Sequence, residues 1–365
     1  MSEKILVAFG GRSNENEISV ITGTMAVNVL KKAGVEVIPL YITQTNDFYT
    51  GEELAEISLF KDDGYLKSNR AIIANGGIYS LSKRGKIKKF TPVDCVLNCC
   101  HGGWGEGGGL CGLCAAANLP LAGAGLFESS AFMDKYYTKL VLNALDIKTV
   151  EWAYISAEEE LNKANLPEYP LIIKPARLGS SIGIARADTP EELQEGIETA
   201  FIYDSGVIIE KFIENRREIN CAAFYSKGEI ITSECEEAIP SGKVLSFEDK
   251  YSGGGKSVLP ADIPVATADR IKEITREVYS KLNMRGIVRF DYILSDDIYL
   301  SEVNTVPGSL SYYLLSKGFS DFYRVLRAVI DQAKEDFRLS HKKVLKTGIL
   351  QNIPSNACKR GSKQL

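Results

Sequence analysis

The sequence lacks the features that would send it to a membrane, to nucleic acid or out of the cell. Nowhere in its 365 residues does an apolar run approach the ~20 positions a membrane helix needs. The opening "MSEKILVAFGG" holds too short an apolar stretch for a secretory signal, and its Gly-Gly fits a strand leading into a loop. Neither sign of charge dominates. Lys and Arg number 43 against 47 Asp and Glu, a net charge of −4, which gives no field favouring nucleic acid or an anionic membrane. Internal repeats and low-complexity segments are missing. What remains is ordinary for a folded protein, 45% apolar and 25% charged. The length suits two or three domains, and the expected location is the cytosol.

Cysteine is not scarce. Of eight, five (Cys95, Cys99, Cys100, Cys111 and Cys114) fall within "CVLNCCHGGWGEGGGLCGLC", a pattern with a C-x-x-C and a His that raises structural zinc. The competing reading treats them as small apolar residues. Cys99 and Cys100 are neighbours on a strand and point to opposite faces, while Cys111 and Cys114 lie on a helix after a Gly-rich loop.

Strands and helices alternate at first: "KILVAFG", the helix "EISVITGTMAVNVLKKAG", "VEVIPLYI", turns and strands through "AIIANGGIYSLSKRGKIKKF", then "VDCVLNCCHGG" and the helix "LCGLCAAANL". That order predicts an α/β layer domain over residues 1–130. A helix "SSAFMDKYYTKLVLNALD" opens the next part. "PLIIKPA", "SIGIARA" and "GVIIEKFI" follow as strands around the helix "TPEELQEGIETAF". "REINCAAFY" and "EIITSECEEAI" read as antiparallel strands, "ATADRIKEITREVYSKLNM" as an amphipathic helix and "FSDFYRVLRAVIDQAKEDFRL" as a closing helix. The stretch from Ser340 to Leu365 carries six Lys and Arg and no acid, and reads as a loosely ordered basic tail.

Chemistry concentrates in "IVRFDYILSDDIYLSEVN". Taken as a symmetric hairpin, its paired residue numbers sum to 593, so Asp291 lies opposite Glu302 and Arg289 opposite Asn304. All four share one face, and Val288, Phe290, Tyr292 and Val303 take the apolar face. Two carboxylates directly opposite repel each other. A hard divalent cation removes the conflict, because Asp, Glu and Asn supply the oxygen ligands Mg²⁺ prefers, with phosphate oxygens completing its shell. Arg289 would then hold phosphate charge during transfer. The alternative is a solvent-facing ion-pair patch.

Three further segments carry a functional and a plain reading. "IIKPARLGSSIGIA" delivers Lys174 and then a loop with Gly179, Ser180, Ser181 and Gly183, suited to anionic oxygens; a β-turn with a solvated lysine is the plain version. In "VIIEKFIENRREI", Glu210, Lys211, Phe212 and Ile213 could present backbone to a purine edge, or simply end a strand. "SFEDKYSGGGKSVLPADIP", with Lys250 and Tyr251 beside three glycines, reads as a loop able to close over a site, or as a surface loop.

In order and spacing, "GGRSNENEIS", "HGGWGEGG", "MDKYYTK", "KPARLGSSIGI", "EKFIENRREI", "EDKY", "RFD" and "EVNTVPG" resemble the ATP-grasp ligases, and among them the D-alanine–D-alanine ligase family. The likeness runs from about residue 4 to 338. It implies α/β and α+β architecture: an N-terminal Rossmann-like parallel sheet followed by a two-subdomain ATP-grasp fold, with subdomains at 131–215 and 216–339 before the 340–365 tail. It implies ATP as co-substrate, with Lys135 and Lys174 toward its phosphates, Glu210, Phe212 and Ile213 at adenine, Glu218 at ribose, and Ser181, Lys211 and Lys250 as further ATP-binding residues. Asp291, Glu302 and Asn304 match ligands of two Mg²⁺ ions, for which Mn²⁺ could substitute. Arg289 and the Gly308 N–H match oxyanion-stabilising groups. Glu17 matches the carboxylate that holds the first substrate's ammonium, ordered by Ser180 and Tyr251, with His101 near that substrate or, alternatively, bonded to backbone at a strand end. The implied partners are small amino acids and a second copy of the chain, with no nucleic acid or membrane.

The acceptor side departs from the family. "SLSYYLL" puts Tyr313 where a small serine is usual and Leu314 at the usual leucine, with Ser311 two residues before Tyr313. Either Tyr313 turns away and Ser311 takes over, or the pocket is reshaped. Gly107, Cys111 and Cys114 stand where the family carries Asp, Gln and Glu.

Overall fold

The structure is a computed structural model that describes residues 2–240, 256–340 and 347–352. Among these the strands form three sheets. The first runs, edge to edge, Ile87–Pro92, Gly77–Leu81, Asn69–Ala74, Phe48–Thr50, Glu36–Ile42, Lys4–Gly10, Cys95–Asn98 and Leu121–Ala122. Its last four strands are parallel, and the others join antiparallel. Ile5 through Phe9 are fully buried because this parallel core is covered on both faces. Ile5, Val7 and Phe9 pack on one side with Val27 and Leu30 of the helix Asn16–Lys32, and Leu6 and Ala8 on the other with Leu110 and Cys114 of the helix Gly109–Ala116.

The second sheet is antiparallel, Ala185–Ala187, Leu171–Pro175, Val207–Lys211 and Trp152–Ile155. The helix Pro190–Tyr203 lays Leu193, Ile197 and Ala200 on one of its faces. The third is antiparallel too: Lys256–Val258, Glu236–Ile239, Arg217–Ser226, Ile287–Leu294 and Ile298–Asn304, with Glu229–Thr232 pairing on Arg217–Ser226. The helix Val265–Lys281 buries Ile271, Ile274 and Val278 against it.

Several elements differ from expectation. The helix foreseen across "SSAFMDKYYTKLVLNALD" is two, Leu126–Phe132 and Lys135–Ala144, broken where Asp134 leaves helical geometry and its carboxylate accepts from the Tyr136 N–H at 2.9 Å. Asp is favoured at such caps over helix interiors. "EIITSECEEAI" is likewise two strands, and "SIGIARA" keeps only Ala185–Ala187 as strand. Trp152–Ile155 was not foreseen. The closing helix, Phe319–Ser340, packs Phe322, Leu326 and Ile330 into the cluster that covers Ile5, Val7 and Phe9, so it belongs to the first sheet's core. Lys250, Tyr251 and most of the basic tail lie outside the described residues. Among those described, no helix is long and apolar enough to cross a membrane.

Candidate active site

The second and third sheets, with the helix Asn16–Lys32 and the loop after Cys95–Asn98 from the first sheet's layer, border one cleft of about 680 Å³. The hairpin of the third sheet supplies its floor. Arg289 pairs with Asn304 and Asp291 with Glu302, and all four line the cleft. Val288, Phe290, Tyr292 and Val303 pack in the core behind. After Asp291 a bulge shifts the register, so Tyr292 lies opposite Leu300. The bulge falls on the turn side of the acids and leaves their pairing intact.

Arg289 donates to both oxygens of Asp291, Nε to Oδ1 at 2.7 Å and Nη2 to Oδ2 at 2.8 Å, and the Asn304 amide donates to Oδ2 at 2.9 Å. The ion pair and the opposed acids are therefore both present. The Lys135 ammonium stands 3.9 Å from Glu302. Two carboxylates and an amide, all hard oxygen donors on neighbouring strands, fit Mg²⁺.

On the phosphate side, Lys174 lines the cleft from Leu171–Pro175, and Ser180 and Ser181 line it from a loop where both hold left-handed φ, 57° and 59°. Glu218 lines it with Arg216 3.2 Å away. Glu210 does not. It is buried, and each of its oxygens meets a lysine. Phe212 is also buried, its ring between the Arg186 and Arg216 guanidinium groups at 4.3 and 4.4 Å. The side chains of Glu210, Lys211, Phe212 and Ile213 are thus not brought into the cleft.

The acid that reaches the cleft from the start of the helix Asn16–Lys32 is Glu15, which corrects the assignment to Glu17. Glu17 is exposed, whereas Glu15 lines the cleft and accepts from the Ser180 hydroxyl. Helix phase explains it. Glu15 and Ser19 are four apart and share the inward face, where Ser19 Oγ accepts from the Gly10 N–H at 2.6 Å; Glu17 is rotated about 200° from Glu15.

His101 is buried with both ring nitrogens engaged. Nδ1–H donates to the Val306 carbonyl at 2.6 Å, and Nε2 accepts from the Thr22 hydroxyl at 2.7 Å. Thr22 in turn accepts from the Ser309 N–H at 3.0 Å. Burial lowers the His101 pKa, consistent with a neutral ring. His101 both lines the cleft and is bonded to backbone at the strand end, and its effect is to position the turn after Pro307. Glu106, unforeseen, grips the same turn. Its carboxylate accepts from Gly102 N–H at 2.7 Å and Val306 N–H at 3.0 Å, and burial pushes its pKa up to about 7. It is the one acid in "HGGWGEGGG", a signal the sequence did offer.

In that turn Ser309, Leu310 and Ser311 all hold φ near +50°. An added Cβ at Gly308 would meet nothing within 4 Å, so the space beside it belongs to the cleft. The left-handed run turns Ser311 inward. Its hydroxyl is buried without a hydrogen-bond partner among the described residues. Leu314 packs away from the cleft as well. Both are corrected as substrate contacts. Tyr313 faces the cleft beside Arg289, and desolvation raises its phenol to about 12. Of the two, Tyr313 lines the cleft and Ser311 does not.

The cysteine cluster divides between environments. Cys99 joins the core on one side of the first sheet and Cys100 and Cys114 the core on the other. Burial pushes the Cys114 thiol up to about 12, as expected of a small apolar residue packed in a core. Cys111 and Cys114 line a separate cavity of about 360 Å³. Among the described residues no group of three or more His, Cys, Asp or Glu is arranged to hold a metal.

A Rossmann-like sheet and two antiparallel sheets around a cleft with lysines, opposed acids and an arginine define the ATP-grasp ligase class. The comparisons carry this further. The profile described as "D-ala D-ala ligase N-terminus" matches residues 4–124, and "D-ala D-ala ligase C-terminus" matches 141–322. The D-alanine–D-alanine ligase of Thermosipho melanesiensis is 35% identical over 356 residues, 94% of this chain and 97% of that protein. The D-alanine–D-alanine ligase structure from Helicobacter pylori superposes with a TM-score of 0.75 at 29% identity, covering 90% of this chain and 98% of that one. The VanG D-Ala:D-Ser ligase from Enterococcus faecalis gives 0.76 at 27%, covering 91% and 100%. This chain belongs to the D-alanine–D-alanine ligase family and is an ATP-dependent ligase.

Proposed function

We propose that the chain joins two D-amino acids, D-alanine first, through an acyl phosphate, to make a cell-wall precursor dipeptide in the cytoplasm. One observation carries the reading: Asp291 directly opposite Glu302, with Arg289 and Asn304 beside them on the cleft face. Asp291, Glu302 and Asn304 would hold the Mg²⁺ that the family uses, two ions by the resemblance, with Mn²⁺ as a substitute. When bound, Mg²⁺ neutralises phosphate oxygens as charge shifts to the leaving group.

The chain's own groups do the rest. Lys135, Lys174 and Ser181 hold ATP phosphates, and Glu218 the ribose. Glu15 receives the ammonium of the first amino acid and is oriented by Ser180. The substrate carboxylate oxygen attacks the γ-phosphorus, and ADP leaves. The amine of the second amino acid then attacks the acyl carbonyl. Arg289 and the Gly308 N–H hold the oxyanion, phosphate departs and the new amide nitrogen loses a proton. Preorganised donors of this kind typically contribute on the order of 3 kcal/mol each. The boundaries near residues 130 and 215 and a homodimer through the first domain belong to the same proposal, with the helix Phe319–Ser340 returning to the first sheet's core; light scattering after gel filtration tests the dimer.

ADP release that depends on both D-alanine and Mg²⁺ is the expected result. Turnover with L-amino acids alone would defeat the D-specific version. A second reading is favoured by Tyr313: the same chemistry with an acceptor other than D-alanine. A mass spectrum of products from a mixed amino-acid pool separates the two.

A further inference from the structure

Lys139 is 1% exposed, and it stands on the helix Lys135–Ala144, where an aliphatic residue would be the cheaper choice. A buried lysine persists when it is paired. Its ammonium lies 2.6 Å from Glu210 Oε1, and the Lys174 ammonium lies 2.6 Å from Oε2. All three are buried.

The fold sets this arrangement. Glu210 pairs with Ile172, which places Lys174 two residues along on the same sheet face. Lys135 and Lys139 are four apart on one helix and share a face. Lys135 and Lys174 line the cleft, whereas Lys139 and Glu210 lie behind it. Without Lys139, Glu210 and Lys174 would form a closed neutral pair in a low-dielectric interior, where attraction is strong. With Lys139, the carboxylate is shared and the cluster keeps one net positive charge, at the edge where Lys174 meets the cleft.

We infer that Lys139 is a positioning residue for nucleotide binding: by taking one oxygen of Glu210, it leaves the Lys174 ammonium directed at the phosphates. The inference rests on the reading of the cleft as an ATP site. Against the opposing effect of burial, the two lysines hold the Glu210 pKa far below the usual carboxylate range, in keeping with a charged carboxylate between them, while burial lowers that of Lys139.

Isothermal titration with Mg²⁺ and a non-hydrolysable ATP analogue tests it, alongside steady-state kinetics. Lys139→Met is expected to bind the analogue about tenfold more weakly. KM for ATP should rise by a similar factor, with kcat changed less than threefold and KM for the amino acids unaltered. Lys139→Arg should restore binding. The double variant K139M/E210Q removes the charge Lys139 offsets and should bind within threefold of wild type. If K139M fails to fold, that double variant decides alone: a tenfold loss there overturns the inference. So does a folded K139M with wild-type affinity, or with a loss confined to kcat. Wild-type protein that ignores the analogue would bring down the ATP site and this inference together.

Discussion

At the scale of single residues, the cleft holds its reactive groups by their neighbours. Arg289 is fixed by two bonds to Asp291, so its guanidinium is aimed before any substrate arrives. Arg289→Met should lower kcat by about a hundredfold or more and leave the circular dichroism spectrum unchanged. Tyr313→Ser should widen the acceptor side, raising the share of products with bulkier second residues in a competition assay read by mass spectrometry. Unchanged product ratios would show that the phenol does not border the acceptor. The hairpin residues were legible because strand alternation and antiparallel pairing are local rules. Glu15 was not, since choosing between acids two apart at a helix start needs the phase of that helix. Ser311 was misjudged because three successive left-handed residues, a conformation L-residues rarely adopt, leave no mark in "SLSYYLL".

At the scale of elements, ion pairs fasten the closing helix to the first strand's leading end. Glu3 pairs with Arg327 and Lys334, Arg327 Nη2 donating to Oε1 at 3.0 Å. The Arg327 hydrogen bond, ahead of the opposing effect of burial, takes the Glu3 pKa from 4.5 to about 2. A lowered acid pKa stabilises the fold above pH 4.5, and that stability is lost as pH falls toward 2. After screening at this partly exposed site is discounted, the contribution is roughly 2 kcal/mol. Glu3→Gln should therefore lower Tm at pH 7 and match wild type near pH 2, as read by thermal melts across pH. Long periodic helices and the parallel strands were legible from pattern. The break at Asp134 and the strand Trp152–Ile155 were not, because a cap competes with a continuing apolar stripe and a four-residue strand is too short to show a period.

At the scale of the molecule, the cleft is assembled from two sheets and from the helix and loops of the first sheet's layer. His101 and Glu106 meet Val306, Thr22 meets Ser309 and Ser180 meets Glu15 across long sequence separations. A ligand seated there should stabilise the whole chain. At a hundredfold over Kd the linkage is about 2.7 kcal/mol, so Mg²⁺ with an ATP analogue should raise Tm by several degrees. Asp291→Asn should abolish most of that rise, and an equal shift in the variant would remove Asp291 from the metal site. The order of motifs made the family legible; the union of the last long helix with the first sheet was not, because contacts over three hundred residues apart obey no local period.

That union has a consequence for synthesis. The ribosome emits Lys4–Gly10 about three hundred residues before Phe319–Ser340, a helix that helps shield one side of it. Until that helix emerges, the helix Asn16–Lys32 covers this side only in part, and the apolar remainder is a sticky surface that chaperones must guard. A premature stop shortly before Phe319 should yield material cleared by proteases, not a smaller working ligase.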